Sequence, residues 1–204
     1  MEYMKYTNKL PNVVFKTIES RRTIRKYKSV MPTEDAIRRI SEVPSFILQD
    51  FIIPFTLVIL QYWAKERAVN IINQTYSITR DLAILYNIVP DNLKEWWRNY
   101  MKEFIKTLGG APIMFVGLTD LTYNRNYHFS VSWMIAQAMM VQARAEGLDT
   151  GPVGFSAKTV EEEFVNYFLR MDYNKWQIAF VLNCGYRDEE PLSRQIKEGI
   201  YEIH

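Results

Sequence analysis

The sequence predicts a globular protein of mixed α and β structure, and three observations carry this prediction. Long runs of apolar and β-branched residues at 55–60, 112–118 and 176–184 are typical of buried strands. Between them, apolar residues recur at every third or fourth position, as they do along one face of a helix. Hydrophobic residues make up 48% of the 204 residues, which is typical of a chain that buries a core and indicates one domain.

Composition narrows the classes of function. The net charge of the chain is only +2, so its basic residues do not form the large excess that nucleic-acid-binding domains usually carry. Cys184 is the single cysteine, which excludes an intramolecular disulfide and favours a reducing compartment. Residues 1–11 are too polar for a secretory signal, and no apolar run is long enough to cross a membrane. We therefore expect a cytoplasmic protein with neither nucleic-acid nor membrane partners.

The basic cluster, residues 20–27, reads Ser-Arg-Arg-Thr-Ile-Arg-Lys-Tyr and follows a short helix predicted at 15–19. Its guanidinium and hydroxyl groups are donors that suit a phosphate group. Three interpretations are open: an anchor for a phosphorylated cofactor, an ordinary charged surface, and a contact with nucleic acid. Composition alone favours the charged surface.

The segment after the basic cluster predicts a helix followed by strands. Thr33 can cap the helix, because its side-chain oxygen accepts hydrogen bonds from the free backbone amides of the first turn. Pro44 is expected to end this helix. Residues 51–53 and 55–60 then predict strands that are separated by Pro54.

A helix that is rich in aromatic residues follows. A mixed pattern at 64–86 favours a helix, and a clearer amphipathic helix is predicted at 91–108, where Gly109 and Gly110 end it. The apolar face of the clearer helix carries these rings: Trp96, Trp97, Tyr100 and Phe104. They can be core or subunit contacts, or they can form a lid over a ligand. Helical spacing favours the first interpretation, because it commonly means burial.

The second half of the chain predicts a buried helix, a glycine-containing loop and a terminal strand. Residues 130–145 are apolar on nearly all sides of a helix, which hints at a subunit interface. The loop at 147–155 contains three glycines, which permit positive φ or the close approach of a ligand, although a helix cap and a turn would explain two of them. A capping box at 159–162 starts another helix. The alternating segment at 200–203 lacks a hairpin partner, which favours pairing with another sheet edge.

The residues of common catalytic and metal sites are absent from the sequence. The two histidines, His128 and His204, do not combine with the cysteine into a metal site. No phosphate-binding glycine loop, dinucleotide fingerprint or serine-nucleophile motif occurs. If the protein is an enzyme, we therefore expect its chemistry to come from a bound organic cofactor, with no metal and no catalytic side chain.

Three separated segments of the sequence resemble the FMN-dependent nitroreductases. The first is the basic cluster, followed by a helix that starts Pro-Thr-Glu at 32–34. The second is the apolar helix that ends at 144–149, together with the run Gly-Pro-Val-Gly-Phe at 151–155. The third is the strand that ends Asn-Cys-Gly-Tyr at 183–186, followed by an acidic turn and Arg194. Their order and spacing match over most of the chain.

The resemblance implies an α+β fold, in which a mixed, mainly antiparallel sheet is flanked by helices. It also implies a single FMN-binding domain over 1–204 and an intertwined homodimer. The C-terminal segment, about 192–204, would reach to the partner subunit, and FMN would bind at the interface between subunits.

The resemblance further implies which residues bind the cofactor. Four residues of the basic cluster would surround the phosphate and ribityl chain of FMN: Arg21, Arg22, Thr23 and Arg25. Arg194 would complete the phosphate site. The residues implied to lie along the isoalloxazine ring are Pro152, Val153 and Gly154, with a backbone N–H near N5, where hydride arrives and leaves. Leu48 stands where the family has an asparagine, so Ser45 and Gln49 are the expected substitutes for contacts to the ribityl and pyrimidine edge.

The function implied by the resemblance is transfer of hydride from NADH or NADPH to a flat, electron-poor acceptor by a ping-pong mechanism. The acceptor would be a small molecule such as a nitroaromatic, a quinone or a flavin. An alternative is a protein of the same fold that binds or sequesters flavin with little or no turnover. The altered segment at 44–55 motivates this alternative.

Overall fold

A four-stranded antiparallel sheet lies at the centre of the computed structural model, which describes residues 13–73, 91–154 and 158–191. The strands are β1 (Phe55–Gln61), β2 (Ile113–Thr119), β3 (Asp149–Val153) and β4 (Gln177–Gly185). Their order in the sheet is β1-β2-β4-β3. A single parallel bridge between Thr23 and Thr150 adds the basic cluster to the outer edge of β3. The mixed, mainly antiparallel sheet of the α+β prediction is therefore confirmed.

Helices cover both faces of this sheet. They are α1 (Val13–Ser20), α2 (Glu34–Ile47), α3 (Tyr62–Asn73), α4 (Lys94–Thr107), α5 (Arg125–Ala145) and α6 (Lys158–Glu163), which a π-helical turn (Phe164–Phe168) continues. On one face, α2 and α5 pack against Phe115 and Leu182; on the other, α3, α4 and the π-helical turn pack against Met114 and Val116. Because successive side chains of a strand point to opposite faces, β2 supplies both cores.

Two of the three apolar runs form buried strands, but the run at 55–60 does not: β1 lies at the edge of the sheet, where only Leu60 is buried. Each residue of β2 is buried, and the last seven residues of β4 are buried as well. Cys184 lies in this buried part of β4, and burial raises the pKa of its thiol to about 12. The predicted helix at 130–145 is confirmed and begins earlier, at Arg125. Within the described ranges, no helix is long and apolar enough to span a membrane.

Two local predictions are wrong. Pro44 does not end α2, which continues to Ile47; the N–H of Leu48 still donates to the carbonyl of Pro44 at 2.9 Å. Proline removes one helical hydrogen bond, but Pro44 is buried and the turn after it packs Ile47 and Leu48 against the core. Residues 51–53 are not a strand of the sheet, because the sheet edge begins only after Pro54.

Strand β3 was predicted as a loop, since glycine and proline are depleted in strands. It forms nevertheless, because five consecutive positions pair with β4, from Asp149 opposite Gly185 to Val153 opposite Val181. The predicted cap of α2 is confirmed: the N–H of Ala36 donates to the hydroxyl of Thr33 at 3.3 Å. The predicted segments at 74–86 and 200–203 lie outside the described residues.

The backbone of the basic cluster is held between β3 and the glycine turn that follows α4. The N–H of Ile24 donates to the carbonyl of Thr150 at 3.1 Å, and the N–H of Tyr27 donates to the carbonyl of Gly109 at 2.9 Å. A Cβ atom at Gly151 would lie 2.1 Å from the carbonyl oxygen of Ile24. Gly109 has a φ of +82°, and a Cβ there would lie 2.3 Å from the Arg25 carbonyl oxygen. The absence of a side chain at Gly151 therefore makes room for the backbone of the basic cluster, and not for a ligand.

We expect Gly151→Ala to destabilise the protein, because its methyl group would push the basic cluster away from β3. Overpacking of this kind typically costs about 1–3 kcal/mol, which corresponds to a fall of several degrees in the unfolding temperature. Circular dichroism during heating measures it. Gly154→Ala is the matched control, since a Cβ at Gly154 meets no heavy atom within 4 Å. Equal unfolding temperatures for the two variants would contradict the close-approach argument.

Candidate functional site

The structure brings the basic cluster and the glycine-containing strand to one edge of the sheet. Thr23 forms its parallel bridge with Thr150, and β3 continues from there through Pro152 to Val153. Val153 is buried in the core, Pro152 is half-buried, and the Cα of Gly154 faces open space. Thr23, one of the residues predicted to bind the cofactor phosphate or ribityl chain, thus lies at the start of the strand that carries the residues predicted to lie along a flavin ring.

A cavity of about 380 Å³ opens beside the basic cluster. Three chain segments line it: the cluster, the N-terminal part of α4 and the acidic turn after β4. The lining residues are Thr23, Arg25, Lys26, Trp96, Trp97, Tyr100, Asp188, Glu189, Glu190 and Pro191. A second cavity, of about 280 Å³, lies on the other side of Tyr100 and reaches Gly109 and Gly110. A cavity of about 520 Å³, whose lining includes Arg144, Asp149 and Arg187, is larger but contains none of the predicted site residues. The 380 Å³ cavity is the candidate functional site, because two predicted phosphate ligands, Thr23 and Arg25, line it.

The carboxylate of Glu189 joins the three segments that line this cavity. Its Oε1 accepts a hydrogen bond from the backbone N–H of Arg25 at 2.6 Å, and its Oε2 accepts one from the hydroxyl of Tyr100 at 2.7 Å. Burial, followed by the hydrogen bond to Glu189, raises the pKa of Tyr100, so this phenol stays a proton donor at neutral pH. The Arg25 guanidinium carbon lies 5.8 Å from the ring centroid of Trp97.

Arg21 and Arg22 directly follow the last residue of α1 and are both half-buried. The guanidinium of Arg22 donates to the backbone carbonyls of Glu19 and Arg21. These two hydrogen bonds hold the Arg22 guanidinium near the end of α1, and backbone carbonyls, not carboxylates, accept both of them. Next to it, the hydroxyl of Ser20 accepts a hydrogen bond from Arg144 Nε at 3.2 Å.

Asp149 forms a buried ion group that no sequence pattern predicts. Its side chain is 1% exposed and lies 3.2 Å from Arg144 Nη1 and 3.9 Å from Arg187 Nε. Burial raises the pKa of the Asp149 carboxyl, and the two guanidinium groups oppose this shift without cancelling it. The ion group ties α5, β3 and the turn after β4 together behind the basic cluster.

The other predicted site residues lie elsewhere or cannot be placed. Ser45 and Gln49 are exposed near the end of α2, where the Ser45 hydroxyl donates to the Glu42 carbonyl at 2.6 Å. Neither residue lines the 380 Å³ cavity. Arg194 is outside the described residues, while Pro191, three positions before it, lines the cavity. The assignment of these residues to a cofactor stays a prediction.

The aromatic helix α4 divides its apolar residues between the core and the cavity. Met101, Phe104 and Ile105 are buried in the core, as helical spacing favours. Trp96, Trp97 and Tyr100, one turn earlier, line the cavity instead. Within 13–73, 91–154 and 158–191, no group of three or more His, Cys, Asp or Glu side chains is arranged to hold a metal ion.

Comparisons with known proteins identify the fold. No model of a protein family matches the sequence, and no curated protein matches it significantly. Solved structures do match over most of the chain. A nitroreductase with bound FMN from Desulfitobacterium hafniense has 17% identity and a TM-score of 0.67, with 96% of this chain and 100% of that chain covered.

Two further structures show the range of proteins with this fold. The FMN-dependent nitroreductase NfnB from Mycobacterium smegmatis, in complex with NADPH, has 13% identity, a TM-score of 0.66, and coverage of 86% and 88%. Iodotyrosine deiodinase, bound to FMN and 3-iodo-L-tyrosine, has 16% identity, a TM-score of 0.66, and coverage of 94% and 98%. At such low identities, these similarities establish a shared fold, and the fold hosts more than one reaction.

The buried carboxyl of Asp149 predicts a pH dependence of stability. Because its pKa is raised on folding, the unfolded chain releases this proton at lower pH than the folded protein does. The contribution of Asp149 to the free energy of unfolding therefore falls as pH rises from about 4 through the raised pKa, by about 1.4 kcal/mol per pKa unit.

Urea unfolding between pH 4 and 7 measures this effect. The free energy of unfolding of Asp149→Asn should lack the fall with pH that this carboxyl contributes. The variant also loses the ion pairs with Arg144 and Arg187, which changes its overall stability but not this pH dependence. Asp50→Asn, at an exposed position, serves as the control and should keep the profile of the unaltered protein. Parallel profiles for Asp149→Asn and the unaltered protein would contradict the prediction.

Proposed function

We propose that this protein, which has the nitroreductase fold, is an FMN-dependent oxidoreductase. In this proposal it takes hydride from NADH or NADPH and passes it to a flat, electron-poor acceptor by a ping-pong mechanism. The acceptor is a nitroaromatic, a quinone or a flavin. The observation that carries the proposal is the position of Thr23 and Arg25 in one cavity at the edge of β3.

The donor set of this cavity suits the phosphate and ribityl chain of FMN. The exposed hydroxyl of Thr23 and the charged groups of Arg25 and Lys26 line it, and such groups make strong charge-assisted bonds to phosphate. Arg21 and Arg22 precede them, directly after the last residue of α1. We include Arg194 in the phosphate site, because the chain passes along the cavity wall at Pro191 shortly before it.

The acidic turn adds three carboxylates to the lining of this cavity: Asp188, Glu189 and Glu190. Lys26 Nζ lies 3.4 Å from Asp188 Oδ2, whereas the two donors to Glu189 are neutral and leave its charge in place. The arginines of the basic cluster and Arg194 must therefore outweigh this negative charge for a phosphate to bind here. When bound, FMN would supply hydride transfer at N5, and the chain's own task would be to hold the ring beside 152–154 and to exclude water.

The assembly that we propose is a homodimer of single-domain subunits, with about 192–204 reaching to the partner. The exposed apolar residues of α5 support it, because Phe129 and Met134 remain exposed on a helix whose other face packs in the core, with seven of its 21 residues buried. Large exposed apolar side chains on a central helix are typical of a surface that another subunit covers.

A second candidate function is flavin binding or sequestration without efficient turnover. It is favoured by the positions of Ser45, near the end of α2, and Gln49, in the turn after it, which are both exposed and do not line the cavity. With Leu48 in place of the family's asparagine, the contacts that orient the pyrimidine edge of the flavin would be fewer. A flavin that is held loosely at this edge would bind but react slowly.

Anaerobic titration separates these two functions. The purified protein should bind FMN, lose the absorbance of oxidised flavin when NADH or NADPH is added, and regain it with a nitroaromatic or a quinone. Bound FMN that neither nucleotide reduces would favour sequestration. A protein that gains no flavin absorbance from added FMN would overturn both functions.

We expect Arg25→Ala and Arg21→Ala to weaken FMN binding while the fold stays intact. One charge-assisted hydrogen bond contributes about 1.5–3 kcal/mol, so the dissociation constant should rise by about tenfold to a hundredfold. Quenching of flavin fluorescence measures binding, and circular dichroism checks the fold. Lys102→Ala removes a positive charge from the exposed side of α4 and should change neither measurement. Unchanged FMN affinity in both arginine variants would make the basic cluster an ordinary charged surface.

A further inference from the structure

We propose that Arg144 is a positioning residue for the phosphate site of FMN. Held by Asp149, it fixes Ser20 at the end of α1 and thereby sets where the next two residues, Arg21 and Arg22, present their side chains. Asp149, Arg144 and Ser20 are together called the Arg144 clamp. The inference rests on the proposed function and deepens it, because it gives three further residues the task of orienting the predicted phosphate ligands.

Burial within the subunit does not fix the end of α1. None of the eight residues of this helix is buried, and its apolar residues Phe15 and Ile18 are exposed. A helix this short is also not stable through its own backbone hydrogen bonds. The direction of its last turn therefore depends on the contacts that its end makes with other elements.

The Arg144 clamp supplies such a contact before the two arginines. Arg144 Nε donates to the hydroxyl of Ser20 at 3.2 Å, while Arg144 Nη1 lies 3.2 Å from Oδ2 and 3.4 Å from Oδ1 of Asp149. The Asp149 side chain is almost completely buried at the start of β3. Because the guanidinium group is planar and rigid, its bonds to this fixed carboxylate also set the direction of the Nε–H.

Backbone contacts with the next residue of β3, Thr150, hold the chain after the two arginines. Thr23 forms a parallel bridge with Thr150, and the N–H of Ile24 donates to the Thr150 carbonyl at 3.1 Å. Both ends of the segment 21–22 are thus tied to two adjacent residues, Asp149 and Thr150. A segment of two residues that is fixed at both ends has few backbone conformations left, so its side chains leave it in defined directions.

Arg22 is the residue that this arrangement prepares for an anion. Its Nη1 donates to the backbone carbonyls of Glu19 and Arg21, which are neutral acceptors and leave the charge of the guanidinium in place. Among the described residues, no group accepts from Nε or Nη2 of Arg22, and these atoms also carry N–H donors. A phosphate would accept from them in charge-assisted hydrogen bonds.

The cost of burying the Asp149 carboxylate agrees with a positioning role. Burial raises the pKa of this carboxyl despite the guanidinium groups of Arg144 and Arg187, so the ion pairs do not replace all of the hydration that the charge loses. A buried ion pair commonly adds little net stability. What this ion pair adds is one defined arrangement of the groups that it joins.

The test compares the binding of FMN with that of riboflavin, which has the same ring and ribityl chain but no phosphate. Arg144→Gln removes the charge from the clamp and leaves Arg21 and Arg22 in the chain. The dissociation constant for FMN should rise by about tenfold and that for riboflavin should not change, since only FMN uses the phosphate site. Quenching of flavin fluorescence measures both constants.

Arg39→Gln is the matched control. The Nε and Nη2 atoms of Arg39 donate to Glu146 at 2.8 and 2.7 Å, an ion pair that ties α2 to the residue after α5 and does not involve the basic cluster. This variant also breaks an ion pair between two elements, near Arg144 in sequence. It should change neither dissociation constant. Circular dichroism during heating shows whether each variant is folded.

Ser20→Ala isolates the last contact of the clamp, because Ser20 is exposed and the ion pair of Arg144 with Asp149 stays intact. The dissociation constant for FMN should rise by about threefold, as expected for the loss of one hydrogen bond. When it is combined with Arg144→Gln, the rise should equal that of Arg144→Gln alone, because both changes break the same contact. Ser130→Ala removes another exposed serine hydroxyl that donates to a carbonyl of its own helix, and it should not change FMN binding.

Unchanged FMN affinity in Arg144→Gln would overturn the inference. An equal loss of affinity for FMN and riboflavin would also overturn it, because it would show a general disturbance of the site, and so would additive effects of Ser20→Ala and Arg144→Gln. If the unaltered protein binds FMN no more tightly than riboflavin, the proposed phosphate site and the inference fall together. FMN that is bound through its phosphate but is not reduced by NADH or NADPH would count against the proposed electron donor alone.

Discussion

The close contact between the backbone of the basic cluster and two glycines is the constraint on which the candidate site depends. Ile24 lies against Gly151 on one side, and Arg25 lies against Gly109 on the other, at distances that leave no room for a side chain at either glycine. The buried side chains of Ile24 and Tyr27 fix this segment further. The cluster is therefore an integral part of the sheet edge, and two of its cationic side chains, Arg25 and Lys26, line the cavity from a backbone that is held on both sides.

Much of the fold could be predicted from the sequence, because a buried helix or strand face requires apolar residues at a regular spacing. That spacing can be read within each short segment of the sequence. Strands β1, β2 and β4 and helices α2 and α5 all follow such patterns. Strand β3 could not be predicted in this way. Its residues, which include Gly151 and Pro152, have low strand propensity, and its pairing with β4 compensates for that only in the folded chain. Pro44 shows the same limit, since tertiary burial outweighs a local helix-breaking preference.

The candidate site, too, could be predicted only in part from the sequence. Local composition and family resemblance selected the basic cluster, of which Thr23, Arg25 and Lys26 line the cavity, and the segment at 151–154, which lies at the same sheet edge but does not line it. The contribution of Glu189 was not predictable, because its partners Arg25 and Tyr100 are 164 and 89 positions away in the sequence. The cavity-lining role of Trp96 was hidden for a related reason. Helical spacing describes the apolar face of α4, but only the docked helix shows which part of that face meets the core and which part meets the cavity.

The burial of Cys184 has a consequence for the proposed flavin-dependent function. Thiolates, not thiols, react with peroxide and other oxidants, and the raised pKa of this cysteine keeps it protonated at neutral pH. Its neighbours in the centre of the sheet also exclude solvent from the sulfur. The single thiol of the chain is thus protected from oxidation and from mixed-disulfide formation. A flavin cofactor exposed to oxygen generates peroxide, and the residue most vulnerable to that product lies in the part of the fold that the product cannot reach.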